Sequence, residues 1–165
     1  MSEVIKVGMA DLKTCVAPNA ITTLGLGSCV GIAIWDPVTK IGGLAHIMLP
    51  DSKAISHNLN IPKFADTGIE ELVRQIVSLG ASRQRLVAKI AGGAQMFAFQ
   101  SSSGSNSAAI RVGERNVIAT KEKLAEMGIR ILAEDTGLNY GRTVIFYPET
   151  GKYVIKAVGK EEITI

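Results

Sequence analysis

No stretch of this chain reaches the roughly 18 consecutive apolar residues that a membrane-spanning helix needs, although 47% of its residues are hydrophobic. Its 18 basic and 15 acidic residues are scattered and nearly balanced, and no dense Lys/Arg block marks a nucleic-acid footprint. The first ten residues lack a basic segment followed by an apolar one, so no secretion signal is read there, and a reducing cytoplasm with free thiols is expected. Cysteine and histidine are both rare, with Cys15, Cys29, His46 and His57 the full set. None of them stands in C-x-x-C or H-x-x-x-H spacing, which excludes a zinc site on sequence grounds, and no cofactor or metal is expected. Gly25, Gly27 and Gly31 suggest a dinucleotide loop, but G-x-G-x-x-G requires glycine where Val30 stands, and a strand follows instead of a helix. There is no internal repeat and no linker, so residues 1–165 are expected to form one domain with a real core.

What is present reads as a strand-rich α/β chain. Residues 4–7 and 24–26 have the look of short strands, with a loop through Pro18 and Asn19. Residues 30–35 and 41–49 are nearly continuous apolar runs on either side of a turn at residues 38–40, a plausible hairpin. Residues 50–62 are polar and read as a surface loop. Ile69, Leu72, Val73, Ile76 and Val77 form a helical stripe within residues 64–79, stopped by Gly80. A strand at 86–90 ends at Gly92 and Gly93, which mark a close backbone packing or a site wall. A second helix at 116–127 turns Val117, Leu124 and Met127 inward, and a strand at 129–133 follows. Residues 101–107, rich in Ser, Gly and Asn, are the expected flexible loop. A hairpin joins 143–147 to 153–158 through Pro148-Glu149-Thr150-Gly151. Seven or eight strands and two helices make a mixed α/β, or α+β, domain.

Cys29 stands in Leu24-Gly25-Leu26-Gly27-Ser28-Cys29-Val30-Gly31, where small neighbours leave room for a substrate carbonyl and free the backbone amides. If the 30–35 and 41–49 runs pair, His46 lies on the strand opposite the one that Cys29 begins. An imidazole there can take the thiol proton and later return it. Thr22, Thr23, Asp36 and Asp51 are candidates to orient the ring. On these two residues alone, a packed thiol and a satisfied core histidine weigh more; the glycine setting shifts the balance toward chemistry. Cys15, with no glycine beside it, reads as a packed thiol, and His57 as an exposed side chain. Met96, Phe97 and Phe99 read as core in preference to an apolar patch for a partner.

Leu26-Gly27-Ser28-Cys29-Val30, Ala45-His46-Ile47-Met48-Leu49-Pro50, Lys89-Ile90-Ala91-Gly92-Gly93-Ala94-Gln95-Met96, Gly113-Glu114-Arg115-Asn116 and Gly141-Arg142 together resemble the signature segments of the chemoreceptor glutamine deamidase family, CheD. The match in order and spacing runs from near residue 5 to near residue 158. The resemblance implies a hydrolase that converts glutamines of methyl-accepting chemotaxis receptors to glutamate with release of ammonia. It implies a catalytic set of Cys29, His46 and Thr23, and a second partner, the chemotaxis phosphatase CheC, which the family binds and stimulates. It also implies a layered fold around a β-sandwich flanked by helices, resembling bacterial toxin deamidases. Two other classes stay open at this point. One is a transglutaminase-like or other thiol hydrolase, and the other a chemotaxis adaptor without chemistry.

Overall fold

A computed structural model of the chain describes residues 2–52, 60–96 and 111–165. Ten strands and two α-helices lie in the described residues: β1 Val4–Val7, β2 Asp11–Val16, β3 Ala20–Leu26, β4 Val30–Asp36, β5 Ile41–Ile47, α1 Ala65–Ser78, β6 Val87–Gly92, α2 Val112–Glu126, β7 Arg130–Thr136, β8 Arg142–Tyr147, β9 Lys152–Lys156 and β10 Ile163–Thr164. They form two five-stranded sheets, ordered β1-β3-β8-β9-β10 and β2-β5-β4-β6-β7. The fold is therefore mixed α/β, with a second layer of contacts where the helices cover one sheet.

Strand β4 explains the layering. Every one of its residues is buried, because the strand has a packed layer on each face. Val30, Ile32 and Ile34 point to one side and join Ile69, Leu72 and Ile76 of α1 and Leu124 of α2 in a single cluster. Ala33 and Trp35 point the other way, into a second cluster with Ile21, Val144, Phe146 and Tyr153 of the opposing sheet. The two-residue period of a strand thus divides one apolar run between two cores. The layers run sheet, sheet, helices, and the seam between the sheets is where the candidate site lies.

The expected hairpin is present, with Val30 opposite Ile47 and Gly31 opposite His46. Helix α1 occupies the expected place and buries Ile69, Leu72, Val73 and Ile76, while Val77 is 36% exposed at the edge of the stripe. Helix α2 begins a turn earlier than its apolar pattern suggests, and its buried face carries Gly113, Asn116, Thr120 and Leu124, with Val117 and Met127 packed only partly against the core. Strand β2 was not foreseen. It pairs with β5 at the edge of its sheet, and its Leu12 and Cys15 serve different cores, so neither face shows a clean alternation. Met96 departs from the core expectation. It is 38% exposed, and its side chain lies over Gly27. His57, Phe97, Phe99 and the 101–107 tract lie outside the described residues.

Candidate functional site

The chain crosses from one sheet to the other between β3 and β4, and Cys29 stands on that crossing. Cys29 lies on the bend just before β4, and its side chain joins the inter-sheet cluster. Gly31, two residues on, opposes His46. Gly31 itself offers no side chain on the face turned to the other sheet. A Cβ at Gly31 would lie 2.8 Å from the Tyr153 hydroxyl and 3.0 Å from a Leu26 methyl. The position accepts only glycine without a shift. Cys29 belongs to the inter-sheet cluster and is 8% exposed.

The backbone of the crossing is held from a second direction. Gly93 N–H donates to the Cys29 carbonyl and Ala94 N–H to that of Gly27, both at 2.8 Å. A Cβ on Gly92 would stand 2.3 Å from the Cys29 carbonyl oxygen. The glycine pair read from the sequence is a close backbone packing against the Cys29 segment.

His46 faces across the seam to β3 of the other sheet. Thr23 Oγ1 lies 2.7 Å from His46 Nδ1 and 2.8 Å from the Val7 carbonyl. The hydroxyl has one proton, and a carbonyl can only accept, so that proton goes to Val7. Thr23 Oγ1 is then the acceptor for Nδ1–H. This places the ring proton on Nδ1 and leaves a lone pair on Nε2. Nε2 is buried and has no hydrogen-bond partner among the described residues. Burial lowers the His46 pKa below its ordinary 6.5, so the ring is neutral near pH 7. Burial also raises the Cys29 pKa above its ordinary 9.0, against a smaller lowering by the residue's own backbone N–H. The resting pair is a thiol and a neutral imidazole.

The other orienting candidates are elsewhere. Thr22 donates to the Val144 carbonyl at 2.6 Å within its own sheet. Asp36 sits at the far end of the hairpin, where Arg85 and the amides of Val38 and Ser82 bind its carboxylate. Asp51 is exposed, beyond the end of β5. Cys15 is buried on β2 opposite Gly42, and burial, with a further contribution from Glu3, pushes its thiol up to about 11. Asn116 was given no individual role by the sequence. Its Nδ2 donates to the carbonyls of Ser28 and Met48, each at 2.9 Å. The available signal was a polar residue in the place where a helix stripe calls for an apolar one.

A thiol, an imidazole with its free nitrogen aimed into a buried space, and a hydroxyl that orients the ring are the working groups of thiol-based nucleophilic chemistry at a carbonyl carbon. Residues 48–157 match the family described as CheD chemotactic sensory transduction. The chain is 63% identical to the probable chemoreceptor glutamine deamidase CheD of Lachnoclostridium phytofermentans, over 98% of each chain. It is 56% identical to the protein of the same description from Caldanaerobacter subterraneus, over 96% of this chain and 95% of that one. It is 49% identical to the chemoreceptor glutamine deamidase CheD of Halalkalibacterium halodurans, over 99% and 100% respectively. The chain belongs to the CheD family. A solved structure, the hypothetical protein YfiH of Bacillus licheniformis, aligns at a TM-score of 0.45 and 14% identity over 73% of this chain and 47% of that one, too distant to bear on fold or function.

Proposed function

We propose that the chain is a protein-glutamine deamidase acting on chemoreceptors, with Cys29 as nucleophile, His46 as proton carrier and Thr23 as the group that orients His46. The names of the relatives support the reaction and the substrate class. The observation that carries the residue roles is the Thr23–His46 hydrogen bond, because it leaves Nε2 as a free base on the face that Cys29 shares.

A carboxamide is a poor electrophile, and a covalent intermediate divides the work. As Sγ of Cys29 bonds to the glutamine Cδ, its proton passes to His46 Nε2. The imidazolium returns that proton to the departing nitrogen, ammonia leaves, and a thioester remains. Water then adds to the thioester carbon while Nε2 takes its proton. The carbon–sulfur bond breaks, the thiol is restored, and glutamate is released. Thr23 carries no charge to stabilise the imidazolium, so modest turnover follows from this arrangement. In this reading residues 1–165 work as one domain in the cytoplasm, and the chemotaxis phosphatase CheC is a second partner.

The test uses purified protein and receptor fragments, with tryptic peptides read by mass spectrometry. A gain of about one dalton at glutamine with stoichiometric ammonia is expected from the native chain, and none from Cys29→Ala. His46→Ala should lose nearly as much, since members of a catalytic unit act together. Thr23→Ser should keep more activity than Thr23→Val, which lacks the acceptor. Equal deamidation by Cys29→Ala and the native chain overturns the assignment, and amine incorporation in place of water overturns the reaction.

A further inference from the structure

Asn116 is fully buried on the inner face of α2, and its amide reaches two carbonyls that belong to different segments. One is that of Ser28, the residue before the nucleophile. The other is that of Met48, two residues past His46. Helix α2 comes near enough for this only because its first turn has no side chain at Gly113. A Cβ there would stand 2.2 Å from the Ala94 carbonyl oxygen and 2.7 Å from that of Gly93. Gly93, with φ of +68°, would bring a Cβ to 2.2 Å from a Val117 methyl. Three close approaches thus bring the helix, the 92–94 segment and the Cys29 crossing into one packed unit.

The Ser28 bond has a consequence for Cys29. A trans peptide is planar, and its N–H points opposite to its C=O. Holding the Ser28 carbonyl toward Asn116 therefore turns the Cys29 N–H away from the helix. The Cys29 side chain also lies away from the helix, in the cluster between the two sheets. We infer that Asn116 is a positioning residue that holds the Ser28-Cys29 peptide so that the Cys29 N–H meets the oxyanion formed when the thiol adds to a carbonyl. The inference rests on the nucleophile reading of Cys29 above, and adds the element that orients the oxyanion donor. An amide suits the task because its two N–H groups serve two carbonyls at once, and neither aspartate nor alanine can do so.

The test separates reactions that build an oxyanion from one that does not. Acylation of Cys29 by p-nitrophenyl acetate passes through a tetrahedral oxyanion, whereas its alkylation by iodoacetamide is a direct displacement at carbon. Asn116→Ala should slow acylation by about 10- to 100-fold, short of the roughly 100- to 1,000-fold cost of losing an oxyanion donor outright because the Cys29 N–H is misdirected and not removed, and should change alkylation by less than about twofold. Asn116→Asp keeps the shape of the side chain. Its ratio of acylation rate to native should rise as pH falls, because a protonated carboxyl regains one donor. Cys29→Ala in each reaction subtracts the signal of Cys15, and a thermal melt checks folding. If Asn116→Ala does not fold, the Asn116→Asp pH profile decides. Parallel loss of acylation and alkylation, or no loss of either, or a pH-independent Asn116→Asp ratio, overturns the proposal. Receptor-fragment deamidation by the native chain is scored separately. Its absence overturns the deamidase reading and leaves the acylation result to judge Asn116.

Discussion

Thr23 has one hydroxyl proton, and Val7 takes it. That single allocation selects the tautomer of His46 and leaves the lone pair on Nε2. The charge state of the pair is governed by burial, which holds the thiol proton on sulfur and keeps the ring neutral. A preformed thiolate–imidazolium pair would react with iodoacetamide at a nearly constant rate from pH 6 to 8. Here the free protein's Cys29 alkylation should be slow at neutral pH and climb by about tenfold per pH unit without levelling before pH 9, since burial raises the thiol pKa above its ordinary 9.0. Peptide mapping of the alkylated cysteine at each pH reads this directly, with Cys15 as the slower internal standard. A rate that is flat and high through pH 7 would show the opposite resting state. In the proposed reaction the proton then moves as Cys29 attacks and is not transferred beforehand.

At the scale of elements, the helices position the site through the sheet they cover. Leu72 of α1 is fully buried and its methyl fills the space that Gly43 of β5 leaves open. Leu72→Ala should cost about 2–5 kcal/mol of stability, from lost transfer energy and the cavity left behind. Val77, at the edge of the same stripe, should cost within about 0.5 kcal/mol when truncated to alanine. Urea unfolding of the two variants gives both values, and comparable losses would mean that the helix is rotated from its place. The stripe itself was legible in the sequence, because an amphipathic period is local information. The start of α2 was not. Gly113 looks like a helix breaker in a linear reading, yet the structure needs it for contact with the Ala94 carbonyl. Asn116 was hidden for the same reason, since its partners lie 88 and 68 residues away in sequence.

The whole molecule should lose stability toward acid in two stages. His46 is buried neutral with a lowered pKa, so the unfolded chain binds a proton as pH falls through 6.5 while the folded chain resists it. Stability from this source is present above 6.5 and declines below. Burial pushes the Asp36 carboxyl up, but Arg85 and the amides of Ser82, Val38 and Thr39 outweigh it and hold the group well below its ordinary 3.8. Its contribution is present above pH 4 or so and is lost as pH falls further. Asp66, Glu71 and Glu134, all lowered, share this second stage. Calorimetry from pH 3 to 8 should show a melting temperature that bends first near 6.5 and again near 4. His46→Gln should remove the first bend, and Asp36→Asn should shrink the second while lowering the melting temperature at neutral pH. A single bend in the native chain would mean that His46 does not titrate with folding.

The sequence by itself determined the α/β character, the β4–β5 hairpin and the stripe of α1, each written in a period of two or 3.6 residues that neighbouring side chains carry locally. It also singled out Cys29 by its glycines and, through the family resemblance, joined His46 and Thr23 to it. Only the tertiary structure decided how Thr23 and His46 meet. Alternation says which face of β5 bears His46, but not that β3 of the other sheet lies across the seam to receive its Nδ1–H. The choice between hydroxyl and backbone carbonyl at Thr23 was likewise settled by the packing of two sheets and the Val7 carbonyl. The edge strand β2 escaped notice because its two buried residues feed different cores. Such pairings depend on how separately patterned elements stack, and that is a property of the packed chain, absent from any short window of it.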